Sequence, residues 1–403
     1  MDLKKCMTAE HLPKFKIEDI AFYGGYALFL VWKITASSVL AIPEGSLLNT
    51  AVHFISLAML SVSVFFSFKR DVGMAPYAIA ILLGIAVKVF ADSMLFFDLS
   101  ILLLAARHRS FRSICVATLA ISGSTIAAIV GLSLCGVVAN YPFSRGEVVR
   151  WGLGFRWTTF LSHYYLNLVM LYIFIRRDKT TTVELIAIAL IDLLIYLATD
   201  SRNSFVLVLV VVIAVFAWRL LPERLLPKLD HLKRLATQYL LVALVAGFFI
   251  ASVLYNPSSA MFQDANDILS NRLQQTHESI ETYGLKPFGS EIEWASKGVI
   301  GMGMDSPSYE EGDVNYVDNS FIELLLNTGY IPFLVVMGWL LAAGSWAVKH
   351  EGWLVCLYLL VIAAHSTVDP QLLLIEYNTF LFLIMEMAVK RFCAGRSLVG
   401  AGE

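Results

Sequence analysis

Charge is scarce in this chain. Only 15% of its 403 residues are Asp, Glu, Lys or Arg, against 58% hydrophobic residues. A chain that apolar cannot wrap one water-soluble core, so lipid has to solvate much of it. Cysteine is also sparse: Cys6, Cys115, Cys135, Cys356 and Cys393 lie in or beside apolar runs, without CxxC or His/Cys ligand spacing. That argues against a disulfide scaffold and against a zinc site. No P-loop, GxGxxG, HExxH or GxSxG occurs, which removes ATP-driven transport and the common soluble hydrolase chemistries. There is no internal repeat or low-complexity tract. Acidic and basic totals nearly cancel at 32 and 30, so bulk charge recommends no nucleic acid, and the placement of the charges carries the information.

Long apolar runs take the place of what is missing; one of them, Ser204 to Phe216, holds no charge at all. In hydrocarbon every backbone N–H and C=O needs a partner within its own segment, so each run of about twenty residues is most economically a helix. Runs at about 20–40, 48–67, 75–91, 93–106, 114–138, 158–175, 183–199, 204–219, 236–254, 326–347, 352–366 and 371–389 predict an all-α polytopic membrane protein. The expectation is about 12 transmembrane helices in a single integral membrane domain, 1–403. The start, with Lys4, Lys5, Lys14 and Lys16 ahead of the first run and no small-residue cleavage site after it, reads as an attached cytoplasmic tail.

Basic residues set the orientation, because cytoplasmic loops accumulate Lys and Arg. With the amino terminus inside, inner segments collect twenty-one of the thirty, including Lys69/Arg70, Arg107/Arg109/Arg112 and Arg176/Arg177/Lys179. Outer segments hold Arg145, Arg150, Arg156, Arg202, Arg272, Lys286 and Lys297, while Lys33 and Lys88 lie within spans. Both termini are therefore expected in the cytoplasm. One extracytoplasmic loop, 255–317, is by far the longest and is acidic; loops of that length are usually functional or disordered. Gln263 to Thr282 lacks breakers and predicts a helix, whereas the glycines at 289, 298, 301, 303 and 312 predict irregular structure. The other long outer loop, Asn140 to Trp157, is basic and glycine-bearing.

The outer arginines have no topological reason to be there. A guanidinium is always charged and its planar fork suits phosphate oxygens, so Arg150, Arg156, Arg202 and Arg272 together favour an anionic ligand. The competing explanation is pairing with carboxylates or lipid headgroups. Arg202 sits in the polar hairpin Asp200-Ser201-Arg202-Asn203-Ser204 between two apolar spans; a functional residue and an Asp200–Arg202 structural pair both fit. In Tyr316-Val317-Asp318-Asn319-Ser320-Phe321-Ile322-Glu323, Asp318 is placed either to cap a helix or to act as a general base near the arginines. His365, in His365-Ser366-Thr367-Val368-Asp369-Pro370, is either a satisfied interface histidine or a proton shuttle. His163 and His277 are weaker candidates. Lys33, Lys88 and Asp192, inside spans, are costly unless paired and would suit a transporter.

Taken in order, these elements resemble the O-antigen and exopolysaccharide repeat-unit polymerases (Wzy-type), grouped with the O-antigen ligases in a broad family of glycan-transferring membrane proteins. The resemblance covers most of the chain from about residue 75 onward. It rests on Arg150-Trp151-Gly152-Leu153-Gly154-Phe155-Arg156 before a span, and on the turn Thr199-Asp200-Ser201-Arg202-Asn203-Ser204. A long loop follows with Asn271-Arg272 and Pro287-Phe288-Gly289, closing on Asp318-Asn319-Ser320-Phe321-Ile322-Glu323-Leu324-Leu325 and Gly329-Tyr330-Ile331. Two departures stand out. Arg272 has eleven residues before Gly284, one more than the family's spacing, and Asp318 stands where ligases commonly carry His. The second departure tilts the resemblance towards a polymerase.

The resemblance implies a GT-C-like glycosyltransferase of the bacterial cytoplasmic (inner) membrane that uses no cofactor and no metal. It implies a donor glycan on polyprenyl (undecaprenyl) diphosphate and an acceptor hydroxyl on a second lipid-linked repeat unit, with flippase and chain-length regulator proteins as partners. Arg202 and Arg272 would contact the diphosphate, with Arg156, Arg150 and Asn319 assisting. Asp318 is the first choice for base and His365 the second. A polysaccharide ligase shares these arginines and differs in product. A flippase or secondary transporter would depend on Lys33, Lys88 and Asp192 instead.

Overall fold

The computed structural model describes residues 16–43, 45–68, 72–145, 147–221, 236–292 and 317–399. Lys4, Lys5, Lys14, Lys69, Arg70 and Lys297, and the loop glycines at 298, 301, 303 and 312, lie outside the described residues. The helices are α1 (Ile17–Ala36), α2 (Leu47–Ser67), α3 (Ala75–Ala91), α4 (Leu95–Ala106), α5 (Phe111–Leu134), α6 (Phe160–Arg176), α7 (Thr182–Thr199) and α8 (Arg202–Leu220). They continue as α9 (Leu241–Val253), α10 (Ala260–Ile268), α11 (Arg272–Tyr283), α12 (Ser320–Thr328), α13 (Tyr330–His350), α14 (Trp353–Ser366) and α15 (Leu381–Val399).

Each apolar run of the sequence falls on one of these helices. Five of them, α2, α5, α7, α8 and α13, are long and apolar enough to cross a membrane by length and composition, and α3, α4, α9 and α14 are shorter apolar helices. Side chains such as Phe65, Val183, Leu194 and Leu220 are exposed on their outer faces, which water would penalise and lipid accepts. Helix starts follow local chemistry: Ser46 and Ser110 cap α2 and α5. Thr181 and Glu184 form a reciprocal capping box on α7, satisfying donors the first turn leaves orphaned.

Packing runs through a continuous apolar core. Helix α1 lies against α2 and α5, α3 against α4, and α13 against α15. Phe380 meets Phe111, Phe174 and Tyr358 edge-on at centroid distances of 5.2, 5.9 and 4.9 Å, a geometry that suits the ring quadrupoles.

Four departures from the sequence expectation bear on the site. The span predicted at 371–389 becomes helical only at Leu381; residues 367–380 form a chain of turns. Pro370 opens the stretch without an N–H to give. Its buried backbone is met by side chains: Asn378 donates to Leu372 O at 2.8 Å, Asn167 donates to Glu376 O at 3.2 Å, and Asn167 Oδ1 accepts from Thr379 N at 3.4 Å. Irregular backbone among apolar helices is tolerable only when protein satisfies it in this way, and average hydropathy does not register it.

The run predicted at 326–347 is cut at Gly329, which ends α12 with φ +88°. A Cβ there would strike the backbone of Pro287, Phe288 and Gly289, and one on Gly289 would strike Asn327. Tyr330 N and Ile331 N donate to Lys286 O and Pro287 O at 3.0 and 3.1 Å. The Pro287-Phe288-Gly289 and Gly329-Tyr330-Ile331 segments are thus one interlocked turn, and both glycines are required by it.

The helix expected over 263–282 is present but broken into α10 and α11 by Ser270 and Asn271, both at positive φ. Asn266, buried beneath the break, accepts from Gln274 N at 3.1 Å and donates to Asn271 Oδ1 at the same distance. Among the described residues the outer loop 140–157 holds the exception to an all-α chain: strands β1 (Pro142–Arg145) and β2 (Val148–Trp151) pair antiparallel, with Phe143 opposite Arg150. Two adjacent β-branched valines, Val148 and Val149, favour that conformation.

Candidate functional site

Polar side chains from five elements converge at one end of the helices: the start of α6, the α7–α8 turn, the starts of α11 and α12, and the end of α14 with the turns that follow it. Asn319 anchors the arrangement. Its Oδ1 accepts from Phe321 N and Ile322 N at 2.9 and 3.1 Å, so Asn319 is the cap of α12. Of the two roles read for Asp318, the cap therefore falls to its neighbour, because the capping oxygen must reach the second and third helical N–H groups. Asn319 Nδ2 also donates to Thr367 O at 3.0 Å.

Asp318 is thereby left for another partner. Its Oδ2 receives Nη2 of Arg272 at 3.3 Å, and the same nitrogen donates to Val368 O at 3.1 Å while Nη1 donates to Leu269 O at 3.3 Å. The break at 269–271 makes Arg272 the first residue of α11, which turns its side chain back across the break towards α12. Burial pushes the Asp318 carboxyl up to about 6, against the opposing pull of Arg272 and with a smaller push from Asp369. Glu323, one turn further along α12, is pushed up to about 8 by burial and then by Asp318, against a hydrogen bond from Asn327. Two neighbouring carboxyls, one of them paired with an arginine, thus hold protons differently, the usual setting for acid–base work.

Below this pair lies Asp369. Its Oδ1 is 3.3 Å from His163 Nε2, and its Oδ2 is 3.5 Å from His365 Nε2 and accepts from Asn203 Nδ2 at 2.9 Å. The two imidazoles meet edge to face at 4.9 Å. Ser320 Oγ donates to Asp369 O at 2.5 Å and accepts from Leu372 N at 3.0 Å, which ties the start of α12 to the turn after α14. His163, His365 and Asp369 are the residues that could hold a metal ion among those described, since their ligand atoms lie within 4.8 Å of one another.

The sequence candidates separate into groups. Arg272 is bonded to Asp318, and it and Asn319 are each bonded to the turn after α14, at whose start His365 lies 3.5 Å from Asp369. Arg202 is on the rim: its side chain is 69% exposed, its Nε is 3.3 Å from Asp200 Oδ1, and its neighbour Asn203 reaches Asp369. The expected Asp200 pair is therefore present, and it leaves most of the guanidinium open.

Arg156 and Arg150 stand apart. Arg156 Nε donates to Ser38 O at 3.1 Å, and its backbone N–H donates to Ser37 O at 3.0 Å, in the turn after α1. Its route to the histidines is indirect: Ser37 Oγ bonds Tyr164 OH at 2.8 Å, and Tyr164 stacks on Tyr377 at 4.2 Å. Arg150, only 8% exposed, lies over the Trp157 ring at 5.4 Å.

The weaker candidates also divide. His277 bonds Ser252 O at 3.0 Å, away from Asp369, whereas His163 is central. Lys33 lies over the Trp32 ring at 4.7 Å, Lys88 pairs with Asp92, and Asp192 is buried in α7. These three sit on separate helices, and none of the bonds above joins them to one another. Sequence reasoning assigned no role to Asp369, Asn203 or Gln371. The His365-to-Asp369 spacing of four was a readable signal, but nothing local brings His163 to the same carboxylate.

The fold and site together define a predominantly helical membrane protein whose arginine, carboxylate and imidazole groups converge at one end of apolar helices. The model of the O-antigen ligase family matches residues 187–337, less than half of the chain, and over that stretch the chain is similar to the O-antigen ligase/polymerase family. The matched stretch contains Arg202, Arg272, Asp318 and Asn319 and leaves out Arg150, Arg156, His163, His365 and Asp369. The description of that family, O-antigen ligase, names an activity of surface polysaccharide formation. No curated protein and no solved structure matches the chain.

Proposed function

We propose that this protein is a bacterial surface-polysaccharide polymerase of the inner membrane, GT-C-like, with about twelve spans and its long loop on the outer face. It would transfer a growing glycan from polyprenyl diphosphate to a hydroxyl of another lipid-linked repeat unit. The observation that carries this reading is the Arg272–Asp318 pair, a fixed guanidinium and a partly exposed carboxylate at 3.3 Å. An incoming diphosphate competes with Asp318 for Arg272, since phosphate oxygens suit the same fork. Its arrival leaves the carboxylate free to accept a proton. The acceptor oxygen then bonds to the anomeric carbon, the bond from that carbon to the diphosphate oxygen breaks, and the hydroxyl proton passes to Asp318. Arg272, with Arg202 reaching in from the rim, stabilises charge developing on the leaving diphosphate. His365 is the alternative base, and Asn319 holds α12 so that Asp318 keeps its place.

A second reading, a ligase that moves finished glycan to a different acceptor, is supported by the description of the matched family. Purified full-length protein in liposomes with its lipid-linked repeat unit distinguishes them. A polymerase lengthens lipid-linked chains; a ligase leaves them unchanged until a separate acceptor is added. Undiminished chain lengthening with Arg272→Ala, or, for a ligase, undiminished transfer to the separate acceptor, would overturn the site assignment.

A further inference from the structure

We propose that His163, His365 and Asp369 bind one divalent transition-metal ion, of the zinc class, that clamps the candidate site from beneath. The resemblance to glycan polymerases implies no such metal, and the inference holds whichever transfer reaction the protein performs.

The donor set is the first reason. Two imidazoles and one carboxylate suit zinc, and three protein ligands leave a fourth position for water. Zinc bonds of about 2.0–2.2 Å to N and O give a tetrahedral edge of about 3.3–3.5 Å. His163 Nε2 lies one such edge, 3.3 Å, from Asp369 Oδ1, while His365 Nε2 faces the other carboxylate oxygen, Oδ2, at 3.5 Å. All the ligand atoms, one from each residue, lie within 4.8 Å of one another, so binding an ion would draw His365 in towards the other two.

The surroundings give independent support. His365 Nε2 is shielded from solvent and makes no hydrogen bond. Asn203 Nδ2 holds one carboxylate oxygen of Asp369 at 2.9 Å. The Gln371 amide lies 2.6 Å from His163 Nδ1 while its own Oε1 is buried without a partner. Rotating that amide by half a turn puts Oε1 on Nδ1–H. His163 then carries its lone pair on Nε2, facing Asp369, and its other nitrogen is held by an outer partner as metal-binding histidines usually are. A cavity of about 20 Å³ lined by His163, His365, Ser366, Gln371, Tyr377 and Asn378 adjoins the cluster, enough for a single water as fourth ligand. Among the described residues no Lys or Arg forms an ion pair with the Asp369 carboxylate, whose close side-chain partners are two imidazoles and the Asn203 amide.

The place of the cluster defines the role. It draws together α6, the start of α8, the end of α14 and the turn at 367–372. That turn supplies Val368 O to Arg272 and Asp369 O to Ser320. The metal is a positioning ion for Arg272 and α12, with no substrate bound to it; with the ion in place His365 is a ligand, and the proton falls to Asp318 alone.

Full-length protein purified in detergent without chelator should carry about one zinc per chain by elemental analysis. After stripping, Co²⁺ should give the intense visible absorption of a tetrahedral N/O site, displaced by Zn²⁺. His163→Gln and Asp369→Asn should lower metal affinity by well over tenfold, and Asn203→Ala, which touches only the outer partner, by about tenfold. If a ligand variant does not fold, the wild-type cobalt spectrum and the Asn203→Ala shift decide. Less than a tenth of an equivalent in wild type with no Co²⁺ spectrum overturns the proposal, as does unchanged affinity across the variants. Because the readout is metal content, failure here leaves the transfer reaction untouched, and absence of transfer leaves the metal site standing.

Discussion

The four arginines singled out by charge placement occupy two different kinds of surroundings. Arg272 is fixed by two backbone carbonyls yet shares its Nη2 with a carboxylate that a phosphate could displace. Arg202 is open to solvent beside Asp200. On the other side, Arg150 lies over Trp157, and Arg156 is bonded to the backbone of the turn after α1. A guanidinium committed to a ring and to carbonyls has little left for a ligand, whereas one whose partner is an exchangeable carboxylate can trade it for another anion. Residue type alone made the four equal; their bonding partners make them unequal, and the family match covers the first pair and not the second.

The largest effect that could sharpen this contrast is at Arg272. Arg272→Ala should cut the rate of chain lengthening by about 100- to 1,000-fold, the scale for losing one donor aimed at developing charge, with lipid-linked product length as the readout. Lysine at this position should rescue little, because a point charge cannot reproduce the fork.

Asp318→Asn comes next, with a loss of about 100-fold or more if the carboxylate takes the proton. The wild-type rate should fall about tenfold per pH unit below about 6, and that limb should vanish in the variant. Stability must run the other way. A carboxyl raised above its ordinary value prefers its protonated form in the folded protein, so its contribution is full below the ordinary carboxylate range and is lost as pH rises through about 6. Activity that rises with pH while the thermal midpoint falls slightly would support the assignment. A flat rate profile from pH 5 to 7 would remove Asp318 as base, and would leave His365 in that role only if metal-free protein is equally active.

The sequence made the helices easy to read, and the reason is physical. A run of apolar residues has one low-energy answer in lipid, so each predicted run meets a helix. The places where reading failed are those where side chains pay backbone debts over long sequence distances. The turns at 367–380 depend on Asn167 and Ser320, and a hydropathy average sees only Leu372, Leu373 and Leu374. Asn319 rather than Asp318 caps α12 because of a one-residue register that both side chains could have served. Asp369 gathers groups from α6, α8 and α14, and only its spacing from His365 was local enough to notice.

Gly329 tests the frame around the first pair rather than its chemistry. Gly329→Ala puts a methyl group against the backbone of Pro287, Phe288 and Gly289 at φ +88°, and should cost about 1–3 kcal/mol for the strained backbone alone. The expected signs are a lower thermal midpoint and faster proteolysis of the 255–317 loop, with activity falling only as far as folded protein is lost. An unchanged midpoint would mean that α12 and the loop are not interlocked as described.

The smallest effect belongs to the second pair. Arg150→Ala removes a guanidinium held over Trp157 at 5.4 Å, an interaction worth about 0.5–2 kcal/mol, and should loosen the β1–β2 hairpin while changing the transfer rate by less than about threefold. Arg156→Ala should behave alike, since what it loses are bonds to the turn after α1. Because both are tied to structure, their variants should be rescued by lower temperature, which Arg272→Ala should not be. If Arg150→Ala instead matched Arg272→Ala at every temperature, the bonding partners would be a poor guide to role. The hairpin would then have to close over the diphosphate when substrate binds, releasing Arg150 from Trp157, and Trp157 fluorescence would report that movement on addition of lipid-linked substrate.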